Sequence, residues 1–336
     1  QVGRPITPQD DQATEWVVCT TANLRGSGEA APGRSGGSFT FSREWVGGPE
    51  VGWMRTDDYM KLAGGQTDFD VGSTIAISGA AFSPATGTAS VQNKGRLMAL
   101  LNLRLGVWVP NPMLLQTRSP DDELPNWRWK PAWPWYFREF VGFFDRTARF
   151  VYLADGGHCE NLGLVELLRR GCSDIWMVSA AGDGASSFET LAQAIALARE
   201  ELGVEFNLDL GPLRSPEKPS RRQRRLLRDD EEAPTAPASF VAGTFTYPPP
   251  EGSSTRINGN INVIEAALIG DAPWDVHSYA ERNKDFPDIS TGYQLMDHRD
   301  FEAYRMLGFV QTQRALDGCK PSLCVADGDG PIVPVI

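Results

Sequence analysis

An aspartate followed by two glycines, set between an apolar run and a leucine-rich helix, constrains this chain more than any other stretch. From Phe150 to Asp183 it reads FVYLADGGHCENLGLVELLRRGCSDIWMVSAAGD. Phe150, Val151, Tyr152 and Leu153 form an apolar, β-favouring run. Asp155-Gly156-Gly157 breaks it, because glycine takes turn angles that side chains forbid. Asn161 is a good N-cap for a helix beginning just after it. Leu162, Leu164, Val165, Leu167 and Leu168 recur at helical spacing. Arg169 and Arg170 fall in the last turn, where cations suit the helix dipole, and Gly171 is placed as a stop. Ile175 to Val178 form the next buried strand. A strand–helix–strand unit with short loops predicts parallel strands and a right-handed crossover. Sites in such sheets gather at the carboxyl ends of strands, which is where Asp155 stands. Two roles fit Asp155 in this context: shaping the turn, or presenting a carboxylate to a cleft.

The stretch from Asp155 to Asp183 resembles the second catalytic motif of the patatin-like acylhydrolases, in the bacterial branch closest to cytosolic phospholipase A2. Those proteins carry D-G-G, then N-L-G or N-L-P, then a helix and a strand. Ser73 to Gly87, STIAISGAAFSPATG, is similar to the small-residue segment that precedes the Asp motif in that family. Gly270 to Gly308 resembles its C-terminal signature of G-D-x-P-x-D-V, F-P, S-T and F-x-x-Y-R-x-L-G. The three motifs stand in family order and cover most of the chain from about residue 15 to 310.

The resemblance implies an α/β protein with a patatin-like layered fold, a mixed and largely parallel sheet flanked by helices. It implies a serine ester hydrolase of the phospholipase or carboxylesterase type, acting on lipid through a Ser–Asp dyad. Asp155 would be the base, Gly156 and Gly157 its turn, and His158 a residue lining the pocket. A Ser hydroxyl is a poor nucleophile until a positioned base takes its proton. No cofactor and no metal enter such a mechanism.

The nucleophile is where the chain departs from the family pattern. The family's elbow and its oxyanion-forming loop come before the segment where this sequence begins. Residues 1–316 then correspond to the C-terminal portion of the catalytic domain, and 317–336 to a tail. The serine is expected on an N-terminal segment or on a partner subunit. The one formal G-x-S-x-G is Gly33-Arg34-Ser35-Gly36-Gly37. An elbow needs a strand before it and a helix after it. Here a loop-like RGSGEAAPG precedes, and the strand-like SFTFS comes after, so Ser35 reads as part of a loop. Ser78, in S-G-A-A, lacks a glycine two places before it and reads as a buried structural serine. The alternative to an enzyme is a non-catalytic patatin-like subunit, kept as an interaction module.

Charge narrows the partners. With 32 Lys and Arg against 43 Asp and Glu, the formal net charge is −11, which argues against nucleic acid. No stretch reaches the roughly 18 apolar residues of a membrane span. The odd total of 5 cysteines favours a reducing compartment, so the expected location is cytoplasmic and peripheral to a membrane. Two stretches bear on that contact. Trp127, Trp129, Trp133 and Trp135 stand as a lipid-facing rim or as the cover of an apolar cleft, the second being favoured. Residues 213–239 hold Arg221, Arg222, Arg224, Arg225 and Arg228, answered at once by four acidic residues. They read as a solvated charged insertion rather than an anionic-lipid contact. His158, Cys159 and Glu160 are consecutive, so they do not converge on one metal ion.

Overall fold

A computed structural model describes residues 15–24, 36–63, 71–79, 106–117, 135, 144–183, 187–215, 234–250, 252, 254, 256–289 and 296–318. Residues 25–35 with Ser35, 127–133 with three of the four clustered tryptophans, and 216–233 with the arginine cluster lie outside the described residues. The chain divides into two compact units, Gln1–Gly163 with Pro331–Ile336, and Leu164–Gly330.

The first unit is built on one six-stranded sheet. Its strands are β1 (Val17–Asn23), β2 (Gly36–Ser42), β3 (Trp45–Gly48), β4 (Gly52–Arg55), β5 (Val107–Pro110) and β6 (Phe150–Ala154). They run in the order β4-β3-β2-β1-β6-β5, and every neighbouring pair is antiparallel. Glycines make the tight return at β3 and β4, where Gly47 and Gly52 have φ of 136° and 78°. Among the described residues this unit has the helices α1 (Thr56–Leu62), α2 (Val71–Ser78) and the single turn α3 (Pro112–Leu115). The sequence assigns Thr56 or Asp57 as cap of α1; instead Arg55 holds that position and the Thr56 hydroxyl donates to the Ser42 carbonyl.

β6 shows why its sequence is apolar throughout. Val151 and Leu153 join the core beneath α1 and α2, with Val18, Phe39, Val109, Tyr59 and Ile77. Phe150, Tyr152 and Ala154 enter a second cluster with Trp108, Phe144 and Trp135. Both faces are covered, so alternation disappears from the sequence. Trp135 packs edge-on to Trp108 and Phe150, with ring centroids 5.2 and 4.9 Å apart. At that one tryptophan, packing holds over a lipid-facing rim.

The second unit opens with α4 (Leu164–Arg169) and β7 (Asp174–Ser179). It continues with α5 (Glu189–Leu202), β8 (Glu205–Asn207), β9 (Val241–Tyr247), β10 (Ile257–Glu265), α6 (Trp274–Arg282) and α7 (His298–Gly318). Its sheet runs β7-β10-β9-β8. β7 is parallel to β10, and the β8, β9 and β10 pairings are antiparallel.

The expected patatin-like layered fold, with a largely parallel sheet flanked by helices, does not form. β6 and β7 were to be parallel neighbours across α4. Instead β6 has both edges taken by antiparallel partners, β1 and β5, and β7 pairs with β10 in another sheet. A strand with two filled edges has no backbone groups left for a third. The burial of β7 agrees with its different place. Ile175, Met177 and Ser179 are buried while Val178 is exposed, the alternation of a strand with one wet face.

The C-terminal signature from Gly270 to Gly308 is spent on packing α6 against α7. Phe286 sits edge-on between Tyr279 and Tyr304, at 5.1 and 4.9 Å between ring centroids. The Tyr304 hydroxyl donates to the Pro287 carbonyl at 2.7 Å. The buried Asp300 carboxylate takes the Tyr279 hydroxyl and, at 2.8 Å, the Asp297 N–H. Asp271 pairs with Arg314.

Candidate active site at the Asp155 turn

β6 delivers Asp155 at its carboxyl end, and β1 fixes the turn beyond it. Thr21 lies opposite Ala154 in the antiparallel register, and its hydroxyl donates to the Gly156 carbonyl at 3.1 Å. The turn is one short 3-10 helix, Gly156–His158, with Asp155 as its cap. Asp155 Oδ1 accepts the Gly157 N–H at 2.8 Å. This is the local bond by which aspartate stabilises turns. It uses one oxygen. Among the described residues Oδ2 has no donor, and the side chain is half-buried. Of the two roles read for Asp155, the bond through Oδ1 is that of a turn residue, and Oδ2 takes no part in it.

Each glycine has its own reason. A Cβ on Gly156 would stand 2.6 Å from the Cys19 carbonyl oxygen, closer than any real contact. The atom in the way is backbone of β1, so the turn itself has to shift. A Cβ on Gly157 would fall on Asn161 Oδ1 and 3.3 Å from Asp155 Oδ1. Gly156→Ala is therefore expected to cost about 1–3 kcal/mol, the range for overpacking a tight contact. It also moves Asp155 off its position. Thermal melting checks the first effect, and loss of any Asp155-dependent activity checks the second.

His158 stands at the far end of the turn with one side in solvent. Desolvation of its other side pulls its pKa below the ordinary histidine value. The Asp155 carboxylate and a bond to the Asp155 main chain oppose that pull without overcoming it. The ring is thus biased toward its neutral form, and a cation is kept away from the Asp155 carboxylate at neutral pH.

The structure also brings to this turn the serine that the sequence reads as buried and structural, and leaves it half-buried. Ser78, the last residue of α2, lies 3.5 Å from the Cβ position of Gly156. Its hydroxyl donates to the Cys19 carbonyl at 2.6 Å. Ser78 and Gly156 thus press on the same carbonyl of β1. The helix packs through Thr74 and Ile77, which are buried, and this sets Ser78 against β1 and the turn.

No family model, no curated protein and no solved structure matches this chain. Among the described residues no group of three or more His, Cys, Asp or Glu side chains is arranged to hold a metal ion. Cys159 and Glu160 point to separate tasks, Glu160 accepting the Leu162 N–H. Among the described residues no helix is long and apolar enough to cross a membrane. The other two histidines lie elsewhere, His298 at the start of α7 and His277 on α6, where its Nε2 is 3.2 Å from the Gly270 carbonyl.

Proposed function

We propose that this chain carries the general base of a lipid acyl hydrolase of the phospholipase or carboxylesterase type. Asp155 is the base. What supports the reading is the state of its carboxylate: half-buried, fixed through Oδ1 to the Gly157 N–H, with Oδ2 left to accept a proton. The support comes from the turn and not from the sheet around it.

In the reaction a serine oxygen forms a bond to the ester carbonyl carbon and its proton passes to Asp155 Oδ2. The C–O bond to the alcohol breaks, and the alcohol leaves with that proton. A water then attacks the acyl-serine, giving a proton to Asp155. The proton returns to serine as the carboxylic acid departs. Gly156, Gly157 and His158 line the substrate side, and no cofactor takes part. The serine comes from an elbow on another segment or subunit. Ser35 is followed directly by strand β2, whereas an elbow is followed by a helix. We place the reaction in the cytoplasm at a membrane surface, with lipid esters as substrate and no nucleic acid as partner.

Fluorophosphonate labelling with peptide mapping of the adduct tests this, on the chain by itself and together with a segment bearing the elbow. The expected adduct forms on the added serine and disappears with Asp155→Asn. An adduct on Ser35 or Ser78 of the isolated chain makes it self-sufficient and removes the split site. Absence of both adduct and ester turnover in every pairing leaves the interaction module.

A further inference from the structure

Unit 2 holds a cluster of carboxyl groups with no part in the Asp155 site. β7 and β10 run parallel, with Ser179 opposite Glu265, so both residues stand at carboxyl ends of neighbouring strands. The Ser179 hydroxyl donates to Glu265 Oε1 at 3.2 Å and accepts the Ala181 N–H at 3.2 Å. The main chain here is fixed. Gln311 of α7 donates to the Glu265 and Ala267 carbonyls at 2.8 and 3.1 Å.

Two further carboxylates act on Glu265 through their charge. Asp183 comes from the segment after β7, and Asp288 from the turn after α6. Those two segments meet: a Cβ on Gly182 would stand 2.9 Å from the Ile289 carbonyl oxygen. Asp183 is also the anchor of the next helix. Its carboxylate accepts the Thr190 N–H at 2.8 Å and the Thr190 hydroxyl at 2.5 Å. Beside that anchor Phe188 is buried with φ 51°, a left-handed conformation that is strained for a phenylalanine. The neutral groups at the cluster are Ser179, Gln311 and the Tyr304 hydroxyl bound to the Pro287 carbonyl. The two charges that act on the Glu265 carboxyl, Asp183 and Asp288, are negative.

A half-buried carboxyl under the charge of two carboxylates is more stable there with its proton than without it. We propose that Glu265 is a proton-operated latch, which when protonated holds Ala181–Asp183, and through Asp183 the start of α5, onto the ends of β7 and β10, and when ionised releases them. Burial first, and then the Asp183 and Asp288 charges, push the Glu265 pKa up to about 7, against the lowering effect of the Ser179 bond. A carboxyl whose docked pKa is raised binds its proton more tightly docked than released. Its contribution to docking is complete below the ordinary value of 4.5 and is lost as pH rises to about 7. The latch stands on unit 2 alone and is independent of the hydrolase reading.

The test is amide hydrogen exchange in the full chain at pH 5.5 and pH 8, corrected for intrinsic rates and read at Ala181 and Thr190. Wild type is expected to lose roughly 30-fold in protection at these two amides over that interval. Glu265→Gln keeps the shape and removes the ionisation, so its loss is expected to stay under about threefold. Protection in wild type that does not change with pH overturns the proposal. An equal loss in Glu265→Gln overturns it too, because another group is then responsible. If Glu265→Gln does not fold, carbon NMR of the Glu265 carboxyl in wild type decides. A midpoint near 7 is expected, and a midpoint at the ordinary glutamate value removes the latch.

Discussion

Asp155→Asn is expected to lower ester turnover by about a thousandfold and to leave the melting temperature almost unchanged. The two effects separate because the carboxylate has two oxygens with different tasks. Asparagine keeps an acceptor at Oδ1, so the Gly157 N–H retains its partner at the turn. The amide nitrogen in place of Oδ2 cannot take a proton from serine. A positioned general base contributes on the order of 10²–10⁴ in rate, and that contribution disappears. Asp155→Ala removes both tasks and is expected to lose activity together with about 1 kcal/mol from the turn bond. The assay needs the serine-bearing segment present, with turnover measured on a soluble ester and on lipid vesicles. Unchanged turnover in Asp155→Asn removes Asp155 from the chemistry and leaves it a turn residue.

The elements of the Asp155 stretch are legible one by one in the sequence, but their assembly is not. The apolar run ends in a turn at Asp155, a short helix comes next, beginning at Leu164 rather than just after Asn161, and Gly171 stops it with φ 74°, as a left-handed stop requires. Strand β7 also lies where the sequence puts it. The parallel crossover does not form, because edge partners are long-range facts. β6 is closed on one side by Val107–Pro110 and on the other by Val17–Asn23, and neither neighbour is written into the 150–183 stretch. The sequence of β7 gives no sign of this, since Ile175 to Val178 are all apolar and the wet face at Val178 shows only in the structure. The β9–β10 pairing, by contrast, joins strands adjacent in sequence.

The same distinction governs the sites. Asp155, Gly156, Gly157 and His158 are contiguous, and a single motif names them. Ser78 reaches the turn only because α2 packs on β1, and a missing glycine hides it from any elbow pattern. Ser179 and Glu265 are paired across 86 residues, so neither stands out alone. The signature around Gly270 to Gly308 is fully visible, and its residues hold α6 to α7. Motif order identifies which residues matter without saying whether they bind, react or pack.

Glu166→Ala is expected to cost unit 2 about 3–5 kcal/mol. The sequence shows Arg169 and Arg170 as cations suited to a helix end. The structure gives them a more specific partner. Glu166 is buried on α4, with 3% of its side chain exposed. Its two oxygens accept Arg169 Nη1 at 2.5 Å and Arg170 Nε at 2.9 Å. Arg169 continues to Glu201 of α5 at 2.6 Å, so the network joins the two helices. Burial works against the Arg169 charge, and Glu166 and Glu201 more than offset it, leaving the guanidinium more firmly protonated than usual. Truncating Glu166 removes a carboxylate that both guanidinium groups share. For a unit of this size the loss corresponds to roughly 10 °C in Tm. Glu166→Gln, which keeps acceptor and shape, is expected to lose less. The double change Glu166→Leu with Arg169→Met is expected to recover part of the loss, since an apolar pair avoids the desolvation that the ion pair must overcome. Calorimetry on the single and double variants distinguishes these cases. A loss under about 1 kcal/mol for Glu166→Ala would mean that water reaches the network and that α4 and α5 are held by Leu164, Val165, Leu168 and Leu191 alone.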